Sequence, residues 1–492
     1  MSRCKIYLFL LTLATVWLTS ATYAEIVLPR VIGSNMVLQR QKPLPIWGTA
    51  APGERVTVKF AKQAKQATAD TAGNWKVMLD PLAASAEPAV MTVSGTNTIK
   101  LENILVGEVW LCSGQSNMAY EMRKNSKVRK PDSLDKNSPV DELERAHNHA
   151  IRIFWVNQKN LKTSGNYLAN WNIAQDSALK AFSAAGYFFA KNLNQQLRVP
   201  VGMICSAISG SRIEPWTPAE AYDLSPYFKE QAKGKPVKME GDPGKFYHSM
   251  IEPLAPFAIR GFLWYQGESA VYLAETISYT YKMQALINAW RSLWNDERNT
   301  LPFYYVQLPP FYYSHSTGNK SVLTPETLPL FREAQAIALN IPNTGMIVTT
   351  DLNDDIKNLH PPFKWEVGRR LALLALAKTY GKKVVYSGPI YKGMKITGNT
   401  IELEFNNTGS ALVSKDGKPL NWFTIAGSDG KFVEANAVIK GNKVIVSSPN
   451  VQSPVAARFA WSEDALPNFF NKAGLPASPF RTDNPLKFSS YF

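Results

Sequence analysis

The stretch VGEVWLCSGQSNMAYEM, Val106 to Met122, decides how this chain is read. Its first half is a buried strand by pattern: Val109, Trp110, Leu111 and Cys112 form an uninterrupted apolar run, as in strands covered on both faces. Ser113-Gly114 breaks the run. Ser116 follows, set between the amide side chains of Gln115 and Asn117. A serine there has two readings. It can cap the helix that comes next, or it can stand at the carboxyl end of a sheet strand, where open α/β sheets place their chemistry.

The rest of the chain sorts into three zones around that stretch. Upstream, residues 25–105 carry short strand-like runs ("NMVLQR", "LPIWGTA", "ERVTVKF", "NWKVML", "AVMTVSG") separated by Pro, Gly and Asp, with clear alternation in "ERVTVKF". Downstream, residues 106–382 alternate strands with helices. "VPVGMICSAISG", "FAIRGFLWYQGES", "PFYYVQL" and "TGMIVTTDL" read as strands. "AFSAAGYFFAKNLNQQL", "YKMQALINAWRSLW", "PLFREAQAIALNI" and "EVGRRLALLALAKTYG" read as helices. That alternation predicts a mostly parallel sheet with helices on both faces. Arg123 to Gly165, charged and proline-containing, reads as a long insertion over one rim. Residues 383–492 return to β patterning and end in an irregular tail rich in aromatics and prolines. The expected order is β, α/β, β.

Composition narrows the class. The chain has 492 residues, enough for two or three domains. Arg3 and Lys5 precede an apolar run from Ile6 to Leu18, followed by "TSATYAE" with small residues suited to cleavage after Ala24. Residues 1–24 therefore read as a secretory signal peptide, too short in its apolar part to span a membrane, and an exported, periplasmic or extracellular protein is expected. Cys4 precedes the apolar run, so it is not a lipoprotein cysteine. Removing residues 1–24 leaves Cys112 and Cys205, which read as two buried thiols, or as one bridge if their strands are neighbours. The formal net charge is +15, from lysines scattered over the whole length. With no arginine-rich helix or aromatic-basic ladder, this is a solvated surface and nucleic acid is not an expected partner.

The strand ends carry the candidate chemistry. Ser116 ends the first strand, and Ser209, Gly210, Ser211 and Arg212 the second. Gln266, Gly267, Glu268 and Ser269 end the third, and Asp351, Asp354, Asp355 and His360 follow the last. Ser116, His360 and an acid make a usable set for nucleophilic catalysis. Of the five histidines, His147 and His149 lie in the insertion, His248 precedes a strand, His315 sits in a polar loop, and His360 alone follows the last parallel strand. His360 can equally cap the helix after it. Glu268, next to an apolar strand, needs a hydrogen bond or a charge partner if buried. No pair of carboxylates with glycosidase logic is evident, and no cysteine or histidine set calls for a metal or other cofactor.

These residues fall into blocks that resemble the sialate O-acetylesterase family of the wider SGNH-hydrolase superfamily. "LVGEVWLCSGQSNMAYEM" resembles its nucleophile block, with the serine in Gly114-Gln115-Ser116-Asn117-Met118. "SAISGSRIEPWTP" resembles the second block, with Ser209-Gly210 where two glycines are usual. "MIEPLAPFAIRGFLWYQGES" resembles the third, with Ala270 where Asn is usual. "DLNDDIKNLHPPFK" resembles the last, matching at Asp351, His360, Pro361 and Lys364. The terminal β regions are similar too.

The resemblance implies an SGNH-like three-layer α/β domain with a mostly parallel sheet, flanked by N- and C-terminal β regions. It also implies a serine carbohydrate O-acetylesterase acting on sialate or on an acetylated polysaccharide such as xylan. Ser116 would attack the acetyl carbonyl and His360 would serve as base. Backbone N–H groups near Ser116 and Gly210 would face the oxyanion, with Gln266 as a side-chain donor and Glu268 and Asn117 close by. The usual acid position, three before the histidine, is Lys357, with Asn358 next, so Asp351 is the first choice, then Asp354, then Asp355, then a dyad held by Asn358 or a carbonyl. Arg212 or Arg481 could pair with a sugar carboxylate, and Trp216, Trp110 and Tyr120 could stack on a sugar. Two other classes remain: a carbohydrate-binding protein with an inactive site, and a glycoside hydrolase. Mass spectrometry of the exported protein should find its first residue at Glu25; a cytoplasmic protein beginning at Met1 would overturn the leader reading.

Overall fold

A computed structural model of the chain describes residues 25–125, 142–156, 170–316 and 323–491. The leader, residues 1–24, and much of the expected insertion lie outside the described residues. The strand containing the opening stretch runs from Thr98 to Gly114, and every residue from Ile104 on is buried. On one edge its carboxyl half pairs in parallel with Val201–Ala207, and on the other with Gly261–Tyr265. The order across the sheet is Thr344–Ile347, Phe303–Val306, Gly261–Tyr265, Thr98–Gly114, Val201–Ala207, Asn148–Val156 and Asn172–Ala174. The amino half of the same strand pairs antiparallel with Ser85–Ser94, and Val37–Gln39 runs parallel beside it. One strand thus crosses residue 105 without a break and ties the two zones into a single hydrogen-bonded unit.

That continuity corrects the expected fold class. The structure is not a single three-layer domain on a mostly parallel sheet with β regions merely flanking it. The large sheet has 11 strands and is mixed, because Ser85–Ser94, Arg55–Phe60 and Gln63–Thr68 join it antiparallel. The remaining strands form four smaller sheets. Among the described residues antiparallel pairings outnumber parallel ones. The physical reason is local. Arg55–Phe60 and Gln63–Thr68, and Ser85–Ser94 and Thr98–Gly114, are joined by turns too short for a helical crossover, so these neighbours pair antiparallel.

A second correction concerns the expected insertion. Asn148–Val156 is a strand of the large sheet, paired in parallel with Val201–Ala207. Its residues Ile151, Ile153, Phe154 and Val156 are buried.

Two helices cover the face nearest Ser116's strand. Ala184–Leu197 begins at Ser183, whose hydroxyl accepts from the Gly186 N–H at 3.1 Å, an N-cap. Lys364–Lys378 lies against it, and Gly368 allows the contact: a Cβ there would come within 2.7 Å of the Phe189 backbone nitrogen. Cys112 and Cys205 face each other in register on adjacent strands as free, buried thiols. The C-terminal region has its own core, including Ile401, Leu403, Phe423, Val444, Phe459 and Phe469. The tail is pinned there, since Phe469–Asn471 pairs with Leu412–Ser414 and Phe480–Arg481 with Ala456–Phe459.

A buried ionic knot grips the middle of the central strand. Glu108 is fully buried and accepts hydrogen bonds from Arg40, Arg260 and Gln39. Burial works against its charge, but Arg260 first and then Arg40 and Gln39 outweigh that and hold the carboxyl below its ordinary value. The group therefore adds stability above the unfolded carboxylate range and loses it as acid protonates it. Replacing Glu108 by Ala leaves two arginines facing a dry interior and should cost about 3–5 kcal/mol in urea unfolding at neutral pH; a loss below about 1 kcal/mol would show that the knot is solvated.

Candidate active site

The chain leaves the central strand through a position that tolerates only glycine. Gly114 has φ of 140°, and a Cβ there would sit 2.1 Å from the Tyr265 carbonyl oxygen. The Gln115 N–H donates to that carbonyl at 3.0 Å, and Gln115 Oε1 accepts from the Gly267 N–H at 3.3 Å. Ser116 is thereby presented half-buried at the strand end, with its Oγ 2.8 Å from His360 Nε2. It caps no helix. With the proton on Nδ1, Nε2 accepts from the serine hydroxyl, which is the arrangement a base needs to take that proton. Among the described residues, the backbone N–H groups of Ser116 and Gly210 have no hydrogen-bond partner. Gly210, at φ of 73° and exposed, follows the neighbouring strand, and its carbonyl accepts from Ser269 Oγ at 3.1 Å.

His360 lies on the loop between Thr344–Ile347 and helix Lys364–Lys378, and that loop is tied down on both sides of it. Its own N–H donates to Asn358 Oδ1 at 2.9 Å. The Leu359 carbonyl accepts from Asn117 Nδ2 at 3.1 Å, and the Pro361 carbonyl accepts from Lys364 Nζ. Burial, followed by the charges of Lys364 and Lys124, lowers the pKa of His360 below its ordinary 6.5. No hydrogen bond reaches His360 Nδ1 among the described residues.

Asp351, the first-choice acid, is engaged elsewhere, and this corrects the sequence reading. Its two carboxylate oxygens accept from Arg370 at 2.7 Å each, with Lys415 at 3.7 Å. The Arg370 guanidinium, with Lys415, outweighs burial and holds this carboxyl below its ordinary value. Glu366 binds the same arginine from the next turn of the helix. Asp355 Oδ1 accepts from the Lys357 N–H, a turn contact. Asp354 is exposed, and its charge is felt by Tyr120.

Several other predicted residues serve the frame rather than the mouth. Gln266 is fully buried; its Nε2 donates to the Ser211 carbonyl at 3.3 Å and its Oε1 accepts from the Tyr279 hydroxyl at 2.7 Å, so it fixes the second loop against the third strand. Trp216 is fully buried, edge-on to Trp264, with its indole N–H on Ser211 Oγ at 3.0 Å. Trp110 is likewise buried, between Phe189 and Tyr304. Neither indole can stack on a sugar. Arg212 forks onto Glu214, and Arg481 pairs with Glu333 at 2.9 Å. Tyr120 is half-buried, with its ring centre 4.8 Å from Lys364 Nζ.

Asn117 and Glu268 belong to one buried network that the sequence reading missed as such. Asn117 Nδ2 donates to Glu268 Oε1 as well as to Leu359, while its Oδ1 accepts from Lys364 Nζ at 2.7 Å. All three side chains are buried. Burial raises the pKa of Glu268 and lowers that of Lys364 to about 7, with Glu268 pulling the lysine back up. In the sequence Lys364 stands out only as a motif position. A lysine at the start of an apolar helix looks like a surface residue, and nothing in the spacing says that it turns inward. His147 and His149 are exposed, and among the described residues no three His, Cys, Asp or Glu side chains converge as metal ligands. No helix among them is long and apolar enough to cross a membrane.

Comparison with known proteins identifies the family of the chain. Residues 106–377 match the family model described as "Carbohydrate esterase, sialic acid-specific acetylesterase". Human sialate O-acetylesterase is 27% identical over 499 residues, covering 91% of this chain and 91% of the relative. The mouse protein is 25% identical over 515 residues, covering 91% and 93%. The crystal structure of a novel carbohydrate acetylesterase from Xanthomonas citri superposes with a TM-score of 0.80 at 35% identity, covering 93% of this chain and 100% of that one.

The Asp351 contacts make a sharp distinction. Asp351→Asn removes a charge from the buried Arg370 and should lower unfolding free energy by roughly 3 kcal/mol, while kcat per folded molecule stays near wild type. Denaturant titration and steady-state kinetics on the same preparation separate the two. A stable variant with a collapsed kcat would return the acid role to Asp351.

Proposed function

In a chain that belongs to the sialic acid-specific acetylesterase family of carbohydrate esterases, we propose that Ser116 is the nucleophile and His360 the general base. The protein is a carbohydrate O-acetylesterase, and its substrate class is a sugar carrying an acetyl ester, sialic acid or a related acetylated sugar. The observation that carries the residue assignment is the 2.8 Å contact between Ser116 Oγ and His360 Nε2, made by two loops that are each fixed by backbone hydrogen bonds.

Each step follows from those positions. Ser116 Oγ attacks the acetyl carbonyl as His360 takes its proton. The negative charge that develops on the carbonyl oxygen needs donors already in place. The N–H groups of Ser116 and Gly210 follow the ends of two adjacent strands, have no partner among the described residues, and supply this hole. With Gln266 engaged at both ends of its amide, the backbone carries that role. The protonated His360 then gives its proton to the departing sugar oxygen. Water, deprotonated by the same ring, releases acetate from Ser116. The acid position is left to the loop itself, which carries Asp354 and Asp355 as exposed carboxylates. The leader read at residues 1–24 supports a periplasmic or extracellular site of action, where acetylated glycans are met.

Two measurements test this. Ser116→Ala should lower kcat on 4-nitrophenyl acetate by on the order of 10⁴-fold or more; an unchanged rate would overturn the assignment. Because the His360 pKa is lowered, kcat/KM should fall on the acid side through a midpoint below 6.5, the base being lost only when the ring protonates. An acid limb above 6.5 would contradict it.

A further inference from the structure

Lys364 is an unusual group for the core of a hydrolase. Its ammonium is fully buried and sits 4.8 Å from the centre of the Tyr120 ring and 5.4 Å from that of Tyr265. Burying an ammonium is costly unless hydrogen bonds and a counter-charge answer it. The answers here come from both halves of the site. One bond goes to Asn117, the residue after Ser116, and one to the carbonyl of Pro361, the residue after His360. Asn117 in turn donates to Leu359, the residue before His360, and to Glu268. The Asn117 amide can face only this way: turned over, its NH₂ would meet the ammonium and its oxygen the carboxylate.

We propose that Lys364 is a positioning residue of the esterase: its ammonium, through Asn117 and the Pro361 carbonyl, locks the Ser116 loop to the His360 loop at reacting distance. This inference rests on the Ser116–His360 reading. In a catalytic triad an acid on Nδ1 holds the imidazole. Here Nδ1 has no such partner among the described residues, and the backbone on either side of His360 is held instead. The lock has an electrostatic consequence with a definite sign. The groups acting on His360 are Lys364 and Lys124, both positive, and Glu268 stands on the far side of Asn117. The ammonium therefore opposes protonation of His360 and keeps the base available at lower pH.

The test uses the full mature protein with 4-nitrophenyl acetate, acetate release and circular dichroism. Lys364→Met removes the bonds and the charge; Lys364→Gln keeps a donor without the charge. For folded Lys364→Met, kcat should fall by about 10²-fold, the scale of a misplaced general base, with KM changed little. Lys364→Gln should recover part of kcat. In both, the acid limb of kcat/KM should move to higher pH, because a positive neighbour of His360 is gone. If Lys364→Met does not fold, Lys364→Gln alone decides through the same limb. A uniform loss at every pH with no shift of the limb, or a folded Lys364→Gln with wild-type kcat and pH profile, would overturn the proposal. Ser116→Ala separates the two ideas: if it stays active, the nucleophile assignment fails, whereas an inactive Ser116→Ala beside a normal Lys364→Gln removes only the role of Lys364.

Discussion

The large sheet hangs from the two edges of one strand. Thr98–Gly114 is hydrogen-bonded to different partners along its length, upstream to Val37–Gln39 and Ser85–Ser94, downstream to Val201–Ala207 and Gly261–Tyr265. A strand paired on both edges cannot slip by one residue without turning its buried side chains to the wrong face. Glu108, gripped by Arg40 and Arg260, fixes the strand along its axis as well. The position of Ser116 is therefore set by the register of a 17-residue strand rather than by the turn that carries it. The turn needs only to be tight, and the contact of Gly114 with Tyr265 makes it so.

Much of this was legible before any coordinates. Alternation in Arg55–Phe60 and the apolar run of Val201–Ala207, interrupted only by Ser206, translate directly into one covered face and two. The helices lie close to their expected places for the same reason. Pairing partners were less accessible. A strand such as Ser85–Ser94 shows its period in the sequence, but not which edge it will join, so the mixed character of the large sheet stayed hidden. Asn148–Val156 escaped notice because Arg152 interrupts its apolar run; that arginine is buried and spends its donors on the carbonyls of His149, Asn35 and Asn103.

The site divides along the same line. Ser116 and His360 stand at strand ends, histidine being scarce in the chain, and topology alone brings such ends together. Polar groups with more than one possible partner are a different matter. Asp351 at a strand end looks like a triad acid until Arg370 is found facing it from the helix. Gln266 and Trp216 look like ligand contacts until Tyr279 and Ser211 claim them. In each case the deciding partner lies outside the element that carries the residue, and although it is only 5 to 19 residues away, the sequence does not show that the two side chains meet.

The facing thiols of Cys112 and Cys205 have a practical meaning. Burial pushes the Cys205 thiol far above its usual range, so in the native state it is protonated as well as sealed. A thiol reagent can reach this pair only when the central strand parts from its neighbour or helix Ala184–Leu197 lifts away. The slow rate of that labelling would then gauge the free energy of opening the very seam that holds Ser116 in register. The protein carries, without engineering, a chemical clock wired to the most constrained part of its sheet.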